Sequence, residues 1–171
     1  RADLPIDLVV IRENTEGVMM RMGGNFKINT PDEVAIQEDI NTFKGVERIC
    51  RYAFEYARSH GYPKVTMADK HGSLVHAHGL WQRVFWKLSE EFSDIEGQHY
   101  FIDTLCMDLI QHPDHFGVIV TNNMYGDILS DLCAGLVGGV GLAASGCLHP
   151  GRVCMFEPVH GTAPDIALKG I

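Results

Sequence analysis

The sequence predicts an α/β fold, and three observations carry that expectation. Short apolar runs alternate with longer stretches in which apolar residues recur at helical spacing. The resulting order, strand–helix–strand–helix–strand–helix–strand, is that of α/β proteins rather than of two separate layers. Acids, a lysine and an arginine follow directly on several of the strand-like runs. Ile6 to Ile11 (IDLVVI) reads as a buried strand, and Gly17 to Pro31, rich in Gly, Met and Asn, as irregular chain. Val34 to Gln37 alternates weakly and suggests a second strand. From Asn41 to Arg58, the residues Phe43, Val46, Ile49, Cys50, Ala53 and Ala57 mark a helix face, and Gly61 supplies its stop. Pro63 to Met67 is a short strand. Leu74 to Phe92 is helical, with Leu80, Trp81, Val84, Phe85 and Leu88 on its apolar face. Gln98 to Ile102 and Phe116 to Val120 are strand-like, separated by a helical stretch ending at Pro113. Tyr125 to Ala143 reads as one helix and Arg152 to Phe156 as a last strand, with no internal repeat and no clear linker.

A chain of 171 residues can bury a hydrophobic core. Its formal net charge of -8 argues against nucleic acid or an anionic membrane as a partner. An acidic protein still holds an anionic substrate where a cation bridges the two. The five cysteines, Cys50, Cys106, Cys133, Cys147 and Cys154, are odd in number and contain no CxxC pair. Cys106, Cys133 and Cys154 lie in apolar stretches, which predicts reduced core thiols in a reducing compartment. No apolar run approaches the roughly eighteen residues of a membrane span, and no basic-then-apolar leader is visible. The chain opens almost directly into IDLVVI and stops at KGI, which suggests a segment of a longer protein.

Asp127 and Asp131 stand four residues apart in NMYGDILSD, hence on one helical face at roughly 6 Å between Cβ atoms. Their flanks (Ile128, Leu129, Leu132, Ala134, Leu136, Val137) are apolar, which predicts a mostly buried helix. An acid pair in that setting calls for a cation, either a metal or a lysine. Asp103, in YFIDTL, falls at the carboxyl end of a strand, where α/β proteins place their ligands; a helix N-cap is the plainer reading. Three carboxylates would form a hard-oxygen site, suited to Mg²⁺ or Mn²⁺. Lys70, past another strand end, is either surface chemistry or a base whose pKa a dry pocket lowers. Arg12 either pairs with Glu13 or clamps a substrate carboxylate. His76 and His78 read as surface or partly buried, not as ligands. EPVHGTAPD is a Gly/Pro loop of the kind that wraps a nucleotide.

Taken together, IRENTEG, the lysine of ADKHGSL, the aspartate of FIDTLCMDL, NMYGDILSD with AGLVGGVG, and EPVHGTAPDIALKGI resemble the metal-dependent β-decarboxylating dehydrogenases. These act on isocitrate, isopropylmalate, homoisocitrate or tartrate/D-malate. The motifs run in the family's order over essentially the whole chain. They lean toward NAD-dependent isocitrate-like and tartrate/D-malate-like members. The resemblance implies an isopropylmalate dehydrogenase-like fold, with a small domain plus part of the large nucleotide-binding domain. It divides the chain into residues 1–125, mainly small domain with dimer interface, and 126–171, the acidic helix and the start of the cofactor-loop region. Because the family's proteins extend beyond both ends, a middle portion is expected.

The implied activity is oxidative decarboxylation of a 2-hydroxy acid: hydride transfer to NAD, then loss of CO₂ from a 3-oxo acid. Mg²⁺ or Mn²⁺ would stabilise the enolate charge. By resemblance, Asp127 and Asp131 are metal ligands, with Asp103 supplied by the partner in a homodimer whose active sites are shared. Arg12 is the substrate-carboxylate clamp, and Lys70 reaches across the dimer to help take the hydroxyl proton. His160, Gly161, Thr162, Ala163, Pro164 and Asp165 form the cofactor loop, where the Asp165 carboxylate favours NAD by repelling a 2′-phosphate. Localisation is expected to be cytoplasmic, with a mitochondrial matrix as the alternative. Three positions depart from the family pattern. Met19 stands where a general-acid tyrosine is usual, Gly72 where asparagine is usual, and Leu168 where glycine is usual. Met19 cannot deliver a proton, so the alternative function is a weakened relative that binds metal and acid as a regulatory or structural subunit.

Overall fold

Ile11, Val65, Met67, Val118 and Val120 are buried at alternating positions of three neighbouring strands, and this pattern organises the first of two compact units. The computed structural model describes residues 6–158. The first unit is Arg1–Leu129 and the second Ser130–Ile171. In the first, β1 (Val9–Arg12), β4 (Lys64–Asp69), β5 (Glu96–Phe101) and β6 (Val118–Thr121) form one sheet. Its order is β1-β6-β4-β5 and every pairing is parallel. The helices α1 (Phe43–His60) and α2 (Val75–Glu91) contribute Val46, Cys50, Ala53, Phe54, Trp81, Phe85 and Leu88 to the same core. The other side chains of the central strands, Ala68 and Ile119 among them, are buried too, as are Leu105 and Leu109 of α3 (Ile102–Gln111). Burial on both faces explains why the central strands β4 and β6 read as largely apolar runs, whereas the edge strand β5 (EGQHYF) does not.

Helix α1 starts where the Thr42 side chain accepts from the Gly45 N–H at 3.1 Å, and it ends at Gly61 in the left-handed region (φ 77°). Both ends match the expected helix to within two residues, because a cap and a glycine fixed them.

Three expectations need correction. Gly17 to Pro31 is not irregular throughout. It contains a 3-10 turn at Val18–Met20 and β2 (Gly23–Phe26), which pairs antiparallel with β3 (Val34–Gln37). All residues of both strands are exposed, so no burial alternation marked them. The helix expected over Tyr125 to Ala143 is α4 (Asn123–Leu136). It stops early because Gly138 (φ 114°) and Gly139 (φ 109°) take the left-handed region. Nor is α4 mostly buried: Met124, Asp127 and Asp131 are exposed, and Ile128 is 53% exposed.

In the second unit, β7 (Ala144–Leu148) and β8 (Cys154–Pro158) form an antiparallel pair, with Gly146 opposite Phe156. Of the cysteines, Cys50 and Cys133 are buried and Cys154 is exposed, so Cys154 is not the core thiol its apolar neighbours suggested. All five are free thiols. No helix among the described residues is long and apolar enough to cross a membrane.

Candidate active site

Four parallel strands bring their carboxyl ends to one edge of the sheet, and the polar residues cluster in sequence just past those ends. Arg12 closes β1, Asp69 closes β4 and Lys70 follows it, Phe101 closes β5 with Asp103 two residues on, and Asn122 and Asn123 follow β6. This edge is where open α/β sheets hold ligands.

At β1 the Arg12 guanidinium donates from Nη1 to Asp127 Oδ1 at 2.5 Å. Its Nε and Nη2 donate to Asn123 Oδ1 at 3.0 and 2.7 Å. The Asn123 amide in turn donates to the Glu16 carbonyl at 3.0 Å, which fixes the acceptor that aims the guanidinium. Arg12 does not pair with Glu13. Glu13 is buried, and accepts from the Thr15 hydroxyl, from the backbone N–H groups of Thr15 and Glu16, and from Arg48 Nη2 at 2.7 Å. Met19 places its sulfur 3.6 Å from Arg12 Nη2, on the exposed side of that group.

The second constellation lies at β4 and β5. Lys70 Nζ is paired with Asp103 Oδ1, and the lysine holds the Asp103 carboxyl below the usual carboxylate range. The Lys70 ammonium also stands 5.2 Å from the centre of the Phe101 ring, a cation–π contact. Asp103 lies in the first turn of α3 but is not its N-cap, which is Phe101. Gly72 has room for a side chain: a Cβ there would meet only the Phe101 ring edge, at 3.7 Å.

Sequence reasoning missed His78. It is fully buried, not at the surface. Its Nδ1 accepts the Lys70 backbone N–H at 2.7 Å, and its Nε2 lies 2.9 Å from the Asn122 side-chain nitrogen. Burial pushes its pKa below the ordinary histidine value, against the charges of Asp69 and Asp39. His76, by contrast, is exposed. The signal for His78 was its place on the apolar face of α2, three residues before Trp81. Asn122 and Asn123 were missed as well, since asparagine after a strand usually signals only a turn.

Asp69 was likewise not singled out. Burial tends to raise its carboxyl, but donors from His99, Gln82 and His71 outweigh this and hold it at about 2. The resemblance-based cofactor loop, His160 to Asp165, and Leu168 lie outside the described residues. Asp131 is on α4, four residues after Asp127, and is exposed.

A family model described as isocitrate/isopropylmalate dehydrogenase matches residues 2–171. The 3-isopropylmalate dehydrogenase of Beutenbergia cavernae is 46% identical over 167 residues, which cover 96% of this chain and 48% of that protein. The enzyme of the same name from Thermobifida fusca is 45% identical, with 96% and 47% covered. Among solved structures, isocitrate dehydrogenase from Methylococcus capsulatus superposes with a TM-score of 0.91 at 42% identity, covering 97% of this chain and 49% of that one. The chain thus spans about half the length of the curated relatives it matches. On its motifs, its fold and the match across nearly its whole length, the chain belongs to the isocitrate/isopropylmalate dehydrogenase family.

Proposed function

We propose that the protein to which this chain belongs oxidatively decarboxylates a 2-hydroxy acid of the isocitrate/isopropylmalate/tartrate class, using NAD and a divalent cation. The observation that carries the reading is the pairing at the carboxyl edge of the sheet: Arg12 with Asp127, and Lys70 with Asp103. In each pair a cation that suits an acidic substrate neutralises a carboxylate that suits a metal. Asp103, Asp127 and Asp131 supply oxygen donors only, a set that fits Mg²⁺ or Mn²⁺ better than zinc. When bound, the metal and NAD would supply Lewis acidity and a hydride acceptor.

The chain's own residues do the rest. Arg12, held in orientation by Asn123, offers a planar fork to a substrate carboxylate. Lys70, tethered through its backbone to His78, is the group that takes the hydroxyl proton. In this reading the protein is a homodimer, and each site combines Arg12, Asp127 and Asp131 of one subunit with Lys70 and Asp103 of the other. The substrate is a small molecule, and neither nucleic acid nor membrane takes part. His160 to Asp165 form the cofactor loop on sequence grounds. Residues 1–125 serve mainly as the small domain and 126–171 open the cofactor-loop region. Five free thiols suit a reducing compartment, and a cytoplasmic location is our reading.

Met19, with its sulfur beside Arg12, favours a second reading: a subunit that binds metal and acid without turnover. One experiment separates the two. NADH formation is followed with the complete protein, Mn²⁺ and a panel of isocitrate, homoisocitrate, isopropylmalate, tartrate and D-malate, with Lys70→Met as control. Turnover on one acid, lost in the control, is expected. Mn²⁺ binding without turnover on any acid moves the protein to the second reading. By calorimetry, Asp127→Ala is expected to abolish Mn²⁺ binding with the fold intact; unchanged affinity refutes the metal assignment.

A further inference from the structure

Away from the three acids assigned to the metal, Asp69, His71 and His99 converge on one point. We infer that they form a second metal site, selective for a borderline divalent cation of the Zn²⁺ class. His71 Nδ1 lies 2.9 Å and His99 Nε2 2.8 Å from the same oxygen, Asp69 Oδ1. The three donor atoms all fall within 4.8 Å of one another. The Asp69 side chain is only 2% exposed, whereas that of His71 is 37% exposed, so the cluster has a buried anchor and an open side. An ion with bonds of about 2.0–2.1 Å needs neighbouring donors roughly 3.3 Å apart, so each imidazole nitrogen must withdraw from Asp69 Oδ1 by about half an ångström, while the two nitrogens, which lie within 4.8 Å of each other, settle to the same spacing. Two imidazoles and one carboxylate leave a fourth tetrahedral position for water. That donor set suits Zn²⁺, Ni²⁺ or Cu²⁺ and disfavours Mg²⁺ and Mn²⁺, which the all-oxygen acids would take.

A supporting shell is in place. Gln82 Nε2 donates to the other carboxylate oxygen, Asp69 Oδ2, at 2.7 Å. Gln82 Oε1 is itself fixed by the Trp86 indole N–H at 2.9 Å. Such partners orient a ligating carboxylate and set its affinity. The site joins the end of β4, the loop that follows it, and the middle of β5. An ion there ties two strands to the loop carrying Lys70, so binding to the folded state raises thermal stability.

The test uses the complete protein with saturating Mg²⁺, so that the hard-oxygen acids are occupied, and Zn²⁺ as the probe. Calorimetry is expected to show one Zn²⁺ per chain in the wild type and in Asp127→Ala, with a rise in Tm in both. His71→Ala and His99→Ala are expected to lose that Zn²⁺ and the Tm rise, while their metal-free Tm and circular dichroism show them folded. Gln82→Ala is expected to bind 10–100-fold more weakly. Co²⁺ substitution adds a readout, since a four-coordinate site gives visible ligand-field bands that both histidine variants lose. The inference is overturned if the histidine variants bind Zn²⁺ as tightly as the wild type. It is equally overturned if the only Zn²⁺ bound is the one that Asp127→Ala removes.

Discussion

Met19 and His78 show, one residue at a time, what the site can and cannot do. A thioether 3.6 Å from the Arg12 guanidinium packs against it but donates no proton. If the family's tyrosine acts as a general acid, restoring it by Met19→Tyr should raise kcat by about 10²-fold, the lower end of such catalysis, with little change in KM. An unchanged kcat would show that the proton arrives from another donor. His78 makes a pH prediction. Burial lowers its pKa, His71 lowers it further, and the carboxylates of Asp69 and Asp39 push it up without winning. The Tyr125 ring meets it edge-on and adds no charge. Because the folded value lies below the unfolded value of about 6.5, the unfolded chain binds the proton first as pH falls. The stability contributed by neutral His78 is therefore full above about pH 6.5 and is lost as pH drops toward the folded pKa. Urea midpoints measured from about pH 7.5 down to about pH 5.5 should fall more steeply for the wild type than for His78→Gln. Parallel slopes would mean that His78 titrates alike in both states.

Elements, rather than residues, decided how much was legible. Lys70 could be placed past a strand end because β4 is a short, largely apolar run with an abrupt polar stop, whereas β5 (EGQHYF) is mostly polar and only its aromatic end, just before Asp103, marked a strand. Their pairing was not legible, since it joins residues 33 apart. The β2–β3 pair was half missed because β2 (GGNF) has a single apolar side chain and so no alternation to read, and its turn uses Lys27 and Asn29 at positive φ rather than glycine. The end of α4 was overrun because Gly138 and Gly139 sit in an apolar run that still fits helical spacing. Within α4, Gly126 is a close-approach position: a Cβ there would stand 2.5 Å from Arg12 Cγ and 2.7 Å from its Cβ. Those atoms are near the root of the side chain and cannot swing aside cheaply. Gly126→Ala should therefore cost about 1–3 kcal/mol of stability through overpacking. It should also displace the guanidinium; losing one charge-assisted hydrogen bond, about 1.5–3 kcal/mol, predicts a KM for the acid raised roughly 10- to 100-fold. Thermal melts and steady-state kinetics check both. An unchanged KM would detach Arg12 from substrate binding.

At the scale of the whole molecule, one chain carries two sets of paired charges at the sheet's carboxyl edge. The Arg12–Asn123–Asp127 set is linked by direct hydrogen bonds, and Lys70–Asp103 by an ion pair of its own. Each set satisfies its charges internally, which keeps the acids from standing as unpaired like charges. Exposed apolar side chains lie on α3 (Met107, Ile110) and α4 (Met124, Ile128), the two helices that carry Asp103 and Asp127. Apolar surface beside a site's acids is what a shared, two-fold interface would cover. If the sites are shared, Lys70→Met and Asp127→Ala damage different halves of the same site. Each variant alone should be inactive. When the two are unfolded together and refolded as a mixture, a mixed dimer carries one site with both lesions and one with neither. Random two-fold assortment makes about half the dimers mixed, so about a quarter of the wild-type activity should return. Sites built within one subunit would stay broken in every dimer, and the mixture would then be as inactive as its parts. Ile128→Glu supplies the complementary measurement. A charge in the apolar patch should shift the protein to monomer in sedimentation and abolish turnover, while far-UV circular dichroism remains that of the folded chain.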